Sequence, residues 1–83
     1  MTGFRVKDPN DIAVAFLGVG RIGTTHLATL AGIPNARLVV VADLDPNEAE
    51  AGRALGRAER ATTDALDAIN DPAVDAVIIV TPT

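Results

Sequence analysis

The sequence predicts an α/β fold: part of a doubly wound parallel sheet, with about three to four strands and flanking helices. Three observations carry this. The apolar run Ile12–Leu17 is continuous rather than alternating, the pattern of a strand covered on both faces, and further apolar stretches lie at residues 38–42 and 76–80. Stretches with helical spacing and cap residues lie between them, so strand and helix alternate along the chain. Finally, Gly18-Val19-Gly20-Arg21-Ile22-Gly23 opens directly from the first run, where a Rossmann-type sheet turns its first strand into its first helix.

Residues 1–11 are polar, contain Pro9-Asn10, and are expected to form a loose leader ahead of the domain at 12–83. The first strand is Ile12–Leu17. A helix is expected from Gly20 to about Ala31, with Ile22, Leu27 and Leu30 toward the sheet, Gly32 as its stop and Pro34 preventing continuation. The β-branched run Val39-Val40-Val41 marks Ala36–Ala42 as the second strand. Asp45-Pro46-Asn47-Glu48 then reads as a helix entry, with Asp45 as N-cap, Pro46 at the first helical position and Glu48 as a capping-box partner. That helix runs through an alanine-rich stretch and stops at Gly56, its charges forming a solvent face. Residues 58–62 give a short third strand, residues 64–69 a brief helix ending before Asn70-Asp71-Pro72, and residues 74–80 a further buried strand. In the usual order 3-2-1-4 that last strand lies at an edge.

The glycine motif carries the chemistry. A dinucleotide requires a tight turn at Gly18, close backbone approach to its pyrophosphate at Gly20, and close helix–strand packing at Gly23. The negative charge then rests on unpaired N–H groups at a helix N-terminus. Asp43 ends the second apolar run 20 positions after Gly23. A carboxylate there accepts both hydroxyls of the adenosine ribose and repels a 2′-phosphate. Asp45 adds a second negative charge, and Leu44 stands where an arginine would otherwise grip that phosphate, so NAD rather than NADP is the expected cofactor. Arg21 lies beside the pyrophosphate or in solvent. Thr81, after the last strand, reaches the nicotinamide side or, with Pro82, simply ends the strand. His26 is expected to be a hydrogen-bonded packing residue near the sheet.

No catalytic residue is assigned, because no lysine follows Lys7, no histidine follows His26 and the chain has no tyrosine to act as a general acid. The chain has no cysteine, so neither a disulfide nor a thiolate metal ligand exists, and no metal site is assigned. With 48% hydrophobic and 22% charged residues it reads as globular rather than disordered. A net charge of −4 argues against nucleic acid or an anionic membrane as a partner. No apolar run approaches the roughly 18 residues of a membrane span. The first residues lack the apolar core of a signal peptide, so the cytoplasm is the expected location. The 83 residues hold about one βαβαβ half, so the chain reads as the front piece of a larger protein. The exposed last strand is a route to self-association.

Three segments together resemble one family: residues 15–26 around the glycines, Val41-Ala42-Asp43-Leu44-Asp45, and residues 71–83 ending in Val80-Thr81-Pro82-Thr83. The chain is similar over 12–83 to the glucose–fructose oxidoreductase / inositol 2-dehydrogenase (Gfo/Idh/MocA) family. The resemblance implies an N-terminal domain that binds NAD(P), and a C-terminal domain that holds a sugar, polyol or related alcohol. It also implies that Gly18, Gly20, Arg21 and Ile22 meet the pyrophosphate, Asp43 the ribose, and Thr81 with Pro82 the nicotinamide side. The family's Glu-Lys-Pro motif and its catalytic histidine have no counterpart in these 83 residues. Two readings compete with an NAD-dependent oxidoreductase: a non-catalytic nucleotide-binding or interaction module, and an S-adenosylmethionine-binding fold.

Overall fold

Seven elements follow one another in the computed structural model, which describes residues 11–80 and, among them, every side chain except those of Arg21 and Ile22. They are β1 (Ile12–Leu17), α1 (Gly20–Ala31), β2 (Ala36–Ala42), α2 (Pro46–Gly56), β3 (Arg60–Thr62), α3 (Ala65–Ile69) and β4 (Ala76–Ile79). The strands form one sheet in the order β3-β2-β1-β4, and every pairing is parallel. The predicted architecture and strand order are those observed. No helix among the described residues is long and apolar enough to cross a membrane.

Strand pleating sends alternate residues of β1 to opposite faces. Val14 and Phe16 join Val19, Leu27, Leu38, Val41 and Ala58 in the core beneath α1 and α2. Ala13, Ala15 and Leu17 join Val39, Val40, Ala42 and Ala68 in the core beneath α3. The β1–β2 register shifts by one residue: Val14 pairs with Leu38 but Ala15 with Val40, leaving Val39 over. That extra residue is why Val39 and Val40 lie in the same core rather than alternating.

α2 approaches the sheet through a stripe of small buried residues, Ala49, Gly52 and Gly56. A Cβ added at Gly52 would lie 2.8 Å from Val19 Cγ2 and 3.0 Å from Val41 Cγ1, so the helix rides on those side chains with no room for a methyl group. Asp45 caps α2 by accepting from the Asn47 N–H (2.8 Å), with Pro46 at the first position as expected. The expected return bond from Glu48 is not among the hydrogen bonds of the described residues. The helix also runs through Gly56 and closes on Arg57, whose φ of 59° is left-handed, so the cap conformation falls one residue later than the glycine. Asp64 caps α3 through the Leu66 and Asp67 N–H groups.

Two strands are shorter than expected. Ala58 belongs to the exit from α2, because its N–H still donates to the Arg53 carbonyl (2.9 Å); the Glu59 N–H already donates to Val39 O (3.1 Å), and β3 begins at Arg60. Residues 74 and 75 belong to a turn, since the Val74 N–H donates to Asp71 O (3.0 Å). Asp75 then pairs with β1 partly through its side chain, Oδ2 accepting the Ala13 N–H at 3.0 Å. The expectation that this last strand is buried fails: β4 is an edge strand, with Ile79 63% exposed.

Arg60 ties β3 to α3 and the turn beyond, with its guanidinium 2.7 Å from Asp67 and 3.0 Å from Asp71. Arg60 and then Thr62 hold the Asp67 carboxyl below the usual carboxylate value. The Ala73 N–H and then Arg60 do the same for Asp71.

Candidate nucleotide-binding site

The carboxyl ends of all four strands meet on one edge of the molecule. The Gly18 N–H donates to Ala42 O (2.8 Å), the Asp43 N–H to Thr62 O (3.1 Å) and the Val80 N–H to Leu17 O (2.8 Å), which carries each strand pairing one step past its strand. β1 is the strand from which the chain winds first toward β2 and later, from β3, back to β4. Ligands of open α/β sheets bind at the carboxyl ends beside such a reversal.

Residues 18–20 form the turn out of β1. Gly18 has φ 87° and Gly20 φ 48°, both in the left-handed region where a side chain is strained. A Cβ on Gly20 would meet nothing within 4 Å, so the backbone here is open to an approaching group. Gly23 differs: a Cβ there would lie 2.8 Å from the Gly18 carbonyl oxygen, so the first turn of α1 is pressed against the turn it springs from. The three motif glycines thus serve tight turn, open backbone and close packing, as their spacing predicts.

α1 starts differently from the other two helices. Its N-cap, Val19, has no side-chain oxygen, and its first turn holds no acid, whereas Asp45 and Asp64 cap α2 and α3. No side chain caps the first turn of α1, so the N–H groups that follow Val19 present their partial positive charge to an external anion. The neighbouring Asp43 is half-buried at the end of β2. Its Oδ2 accepts the Val19 N–H at 2.8 Å and its Oδ1 the Asp45 N–H at 2.9 Å. Leu44, next along the chain, is 91% exposed, and no cation stands at that position.

These residues fit a dinucleotide: an open turn with free backbone for phosphate, an uncapped helix start for its charge, and a fixed carboxylate one strand away for a ribose. The structure brings together Gly18, Gly20, Gly23 and Asp43. It places Arg21 and Ile22 on the first turn of α1, though their side chains lie outside those described. Thr81 and Pro82 lie outside the described residues; Val80, just before them, ends beside Leu17.

His26 requires correction. It is exposed on α1 rather than packed near the sheet, because the buried positions of the helix are Gly23 and Leu27, with Leu30 half-buried beyond them. Sequence reasoning also missed Val19, whose backbone bond to Asp43 spans 24 positions. The Asp43–Asp45 bond is the local turn that an Asp-x-Asp sequence favours, and was open to detection. Nothing in the sequence marks the Val19 bond.

A family model described as an oxidoreductase family with an NAD-binding Rossmann fold, Gfo/Idh/MocA, matches residues 12–83. An inositol 2-dehydrogenase of Rhizobium meliloti is 44% identical over 72 residues, 87% of this chain and 21% of that protein. A scyllo-inositol 2-dehydrogenase (NAD(+)) of Bacillus subtilis is 42% identical over 76 residues, 89% of this chain and 22% of that protein. Among solved structures, the scyllo-inositol dehydrogenase of Lactobacillus casei with bound NAD(H) and scyllo-inositol superposes with a TM-score of 0.76 at 31% identity, over 87% of this chain and 22% of that one. The chain thus spans about a fifth of the length of the relatives it matches. Motif, topology and relatives agree, and the chain belongs to the Gfo/Idh/MocA oxidoreductase family, within its NAD-binding Rossmann fold.

Proposed function

We propose that residues 12–83 are the cofactor-binding part of an NAD-dependent oxidoreductase that acts on a cyclic polyol of the inositol class. The observation that carries the cofactor half is Asp43: a half-buried carboxylate fixed by two backbone N–H groups, beside an open glycine turn. In this reading Gly18, Gly20 and the first turn of α1, with Arg21, Ile22 and Gly23, hold the pyrophosphate. Asp43 accepts the ribose hydroxyls, and Thr81 with Pro82 borders the nicotinamide side. When bound, NAD supplies the two-electron acceptor for an alcohol. The substrate class rests on inositol dehydrogenases being similar to this chain at 42–46% identity. The S-adenosylmethionine alternative is set aside by the family match.

Among the described residues no Lys or His lies at the carboxyl ends of the strands, and this proposal gives none of them a role in moving the substrate's proton. A cytoplasmic location belongs to the same proposal, as does the absence of nucleic acid from its partners, for which the net charge of −4 is the support. So does self-association of the 83-residue chain through β4, whose outer edge meets no other strand among the described residues and whose Val77 and Ile79 are exposed.

The test is titration of NAD and NADP into the chain and into Asp43→Ala, followed by calorimetry. The parent is expected to favour NAD. The variant loses charge-assisted hydrogen bonds worth about 1.5–3 kcal/mol and no longer repels a 2′-phosphate, so its preference narrows. An unchanged ratio removes Asp43 from the ribose site.

A further inference from the structure

Resting on the dinucleotide reading above, we propose that Asp43 is also a positioning residue for the pyrophosphate: its carboxylate sets the shape of residues 18–20 before any cofactor arrives. Glycines at 18 and 20 permit the left-handed turn but do not select it, since glycine enters many other conformations as readily. Something must choose among them. Val19, between the two glycines, is 2% exposed, so its N–H needs a partner within the protein. That partner is Asp43 Oδ2 at 2.8 Å, across 24 positions of sequence and from the neighbouring strand.

The other carboxylate oxygen is engaged as well. Oδ1 accepts the Asp45 N–H at 2.9 Å, and Asp45 in turn accepts the Asn47 N–H at 2.8 Å to start α2. One side chain therefore joins the start of α1 to the start of α2. With a backbone donor on each oxygen the carboxylate cannot rotate, and about two of its four lone-pair sites remain for hydroxyl groups. The consequence concerns phosphate. If Asp43 only received ribose, replacing it would leave a ribose-free anion bound equally well, or more tightly, because a negative charge has gone. If Asp43 holds the turn, the same replacement weakens that anion. The two roles predict opposite signs.

The experiment uses the isotope-labelled 83-residue chain, with inorganic pyrophosphate as a probe that has no ribose and NAD as the reference ligand, both followed by NMR titration. Asp43→Ala, which keeps neither acceptor, is expected to weaken pyrophosphate by roughly ten-fold or more, about the worth of one hydrogen bond to a charged group, and Asp43→Asn by less. In the unliganded parent the Val19 amide is expected to be protected from hydrogen exchange. In Asp43→Ala that protection is lost, while amides within β1 keep theirs. Pyrophosphate bound as tightly or more tightly by folded variants overturns the inference, and leaves the dinucleotide reading standing if the parent binds NAD. A Val19 amide unprotected in the parent overturns it with no variant needed, so the result does not depend on the variants folding. A parent that binds neither NAD nor pyrophosphate overturns the dinucleotide reading, and the inference falls with it.

Discussion

The two faces of the sheet are built to different specifications. Beneath α1 and α2, Phe16, Leu27, Leu38 and Val41 are buried, and the glycines of α2 let helix and sheet close on one another with no spare volume. Beneath α3 the β1 residues are Ala13, Ala15 and Leu17, and α3 itself buries only Ala68. Leu66 on that short helix is 65% exposed, and Val77 and Ile79 of β4 are exposed too. The glycine turn springs from the well-packed face, since Val19 belongs to the same core as Phe16 and Leu27. The glycine turn is therefore anchored in the more tightly packed of the two cores.

Cutting Phe16 to alanine tests the tight face hardest. A fully buried aromatic replaced by alanine costs about 3–5 kcal/mol, comparable to the whole stability of a domain this size, and denaturant titration is expected to find the variant largely unfolded. Gly52→Ala comes next. In an open helix the change favours folding by about 1 kcal/mol, but here the new methyl meets Val19, Val41 and Leu27. Overpacking of about 1–3 kcal/mol wins, and the midpoint falls. A rise in stability would show that α2 has slack.

The ion network on the open side gives a smaller, pH-dependent effect. Asp67 and Asp71 titrate below their ordinary value of 3.8 in the folded chain, so their contribution is complete above that value. It is lost as pH falls through the lowered folded values. Asp67→Asn with Asp71→Asn is expected to flatten the acid limb of the stability curve below about pH 4 and to lower stability at neutral pH. An unaltered acid limb removes the network from the account. Smallest of all is Ile79→Lys, which is expected to change monomer stability by less than about 0.5 kcal/mol while reducing association measured by light scattering. Undiminished association would move the interface away from β4.

The parallel sheet, its order and the helix starts at Asp45 and Asp64 were legible because each depends on nearby residues: continuous apolar runs, a proline after an acid, glycines at fixed offsets. The candidate site was legible to the same extent, through Gly18, Gly20, Gly23 and Asp43. What escaped depends on distant partners. The side-chain pairing of Asp75 with Ala13, which shortens β4, spans 62 positions, and the bond from Val19 to Asp43 spans 24. His26 was misplaced for a local reason: adjacent helix positions differ by about 100°, so a helix that buries Leu27 leaves His26 exposed.

The unpaired Val39 has a consequence for how sequences of this kind are aligned. Up to Leu38 the pleat of β2 follows one phase; after the extra residue it follows the other, and Val41 returns to the α1/α2 side. Continued to the end of the strand, that second phase sends Asp43 to the same side as Val19. Without the extra residue, position 43 would point away from the turn and position 42 toward it. The interval between glycines and acid is therefore set by backbone geometry as much as by the ligand. A relative with a regular second strand is expected to carry its acid one position earlier, and a motif search that fixes the interval would pass over it.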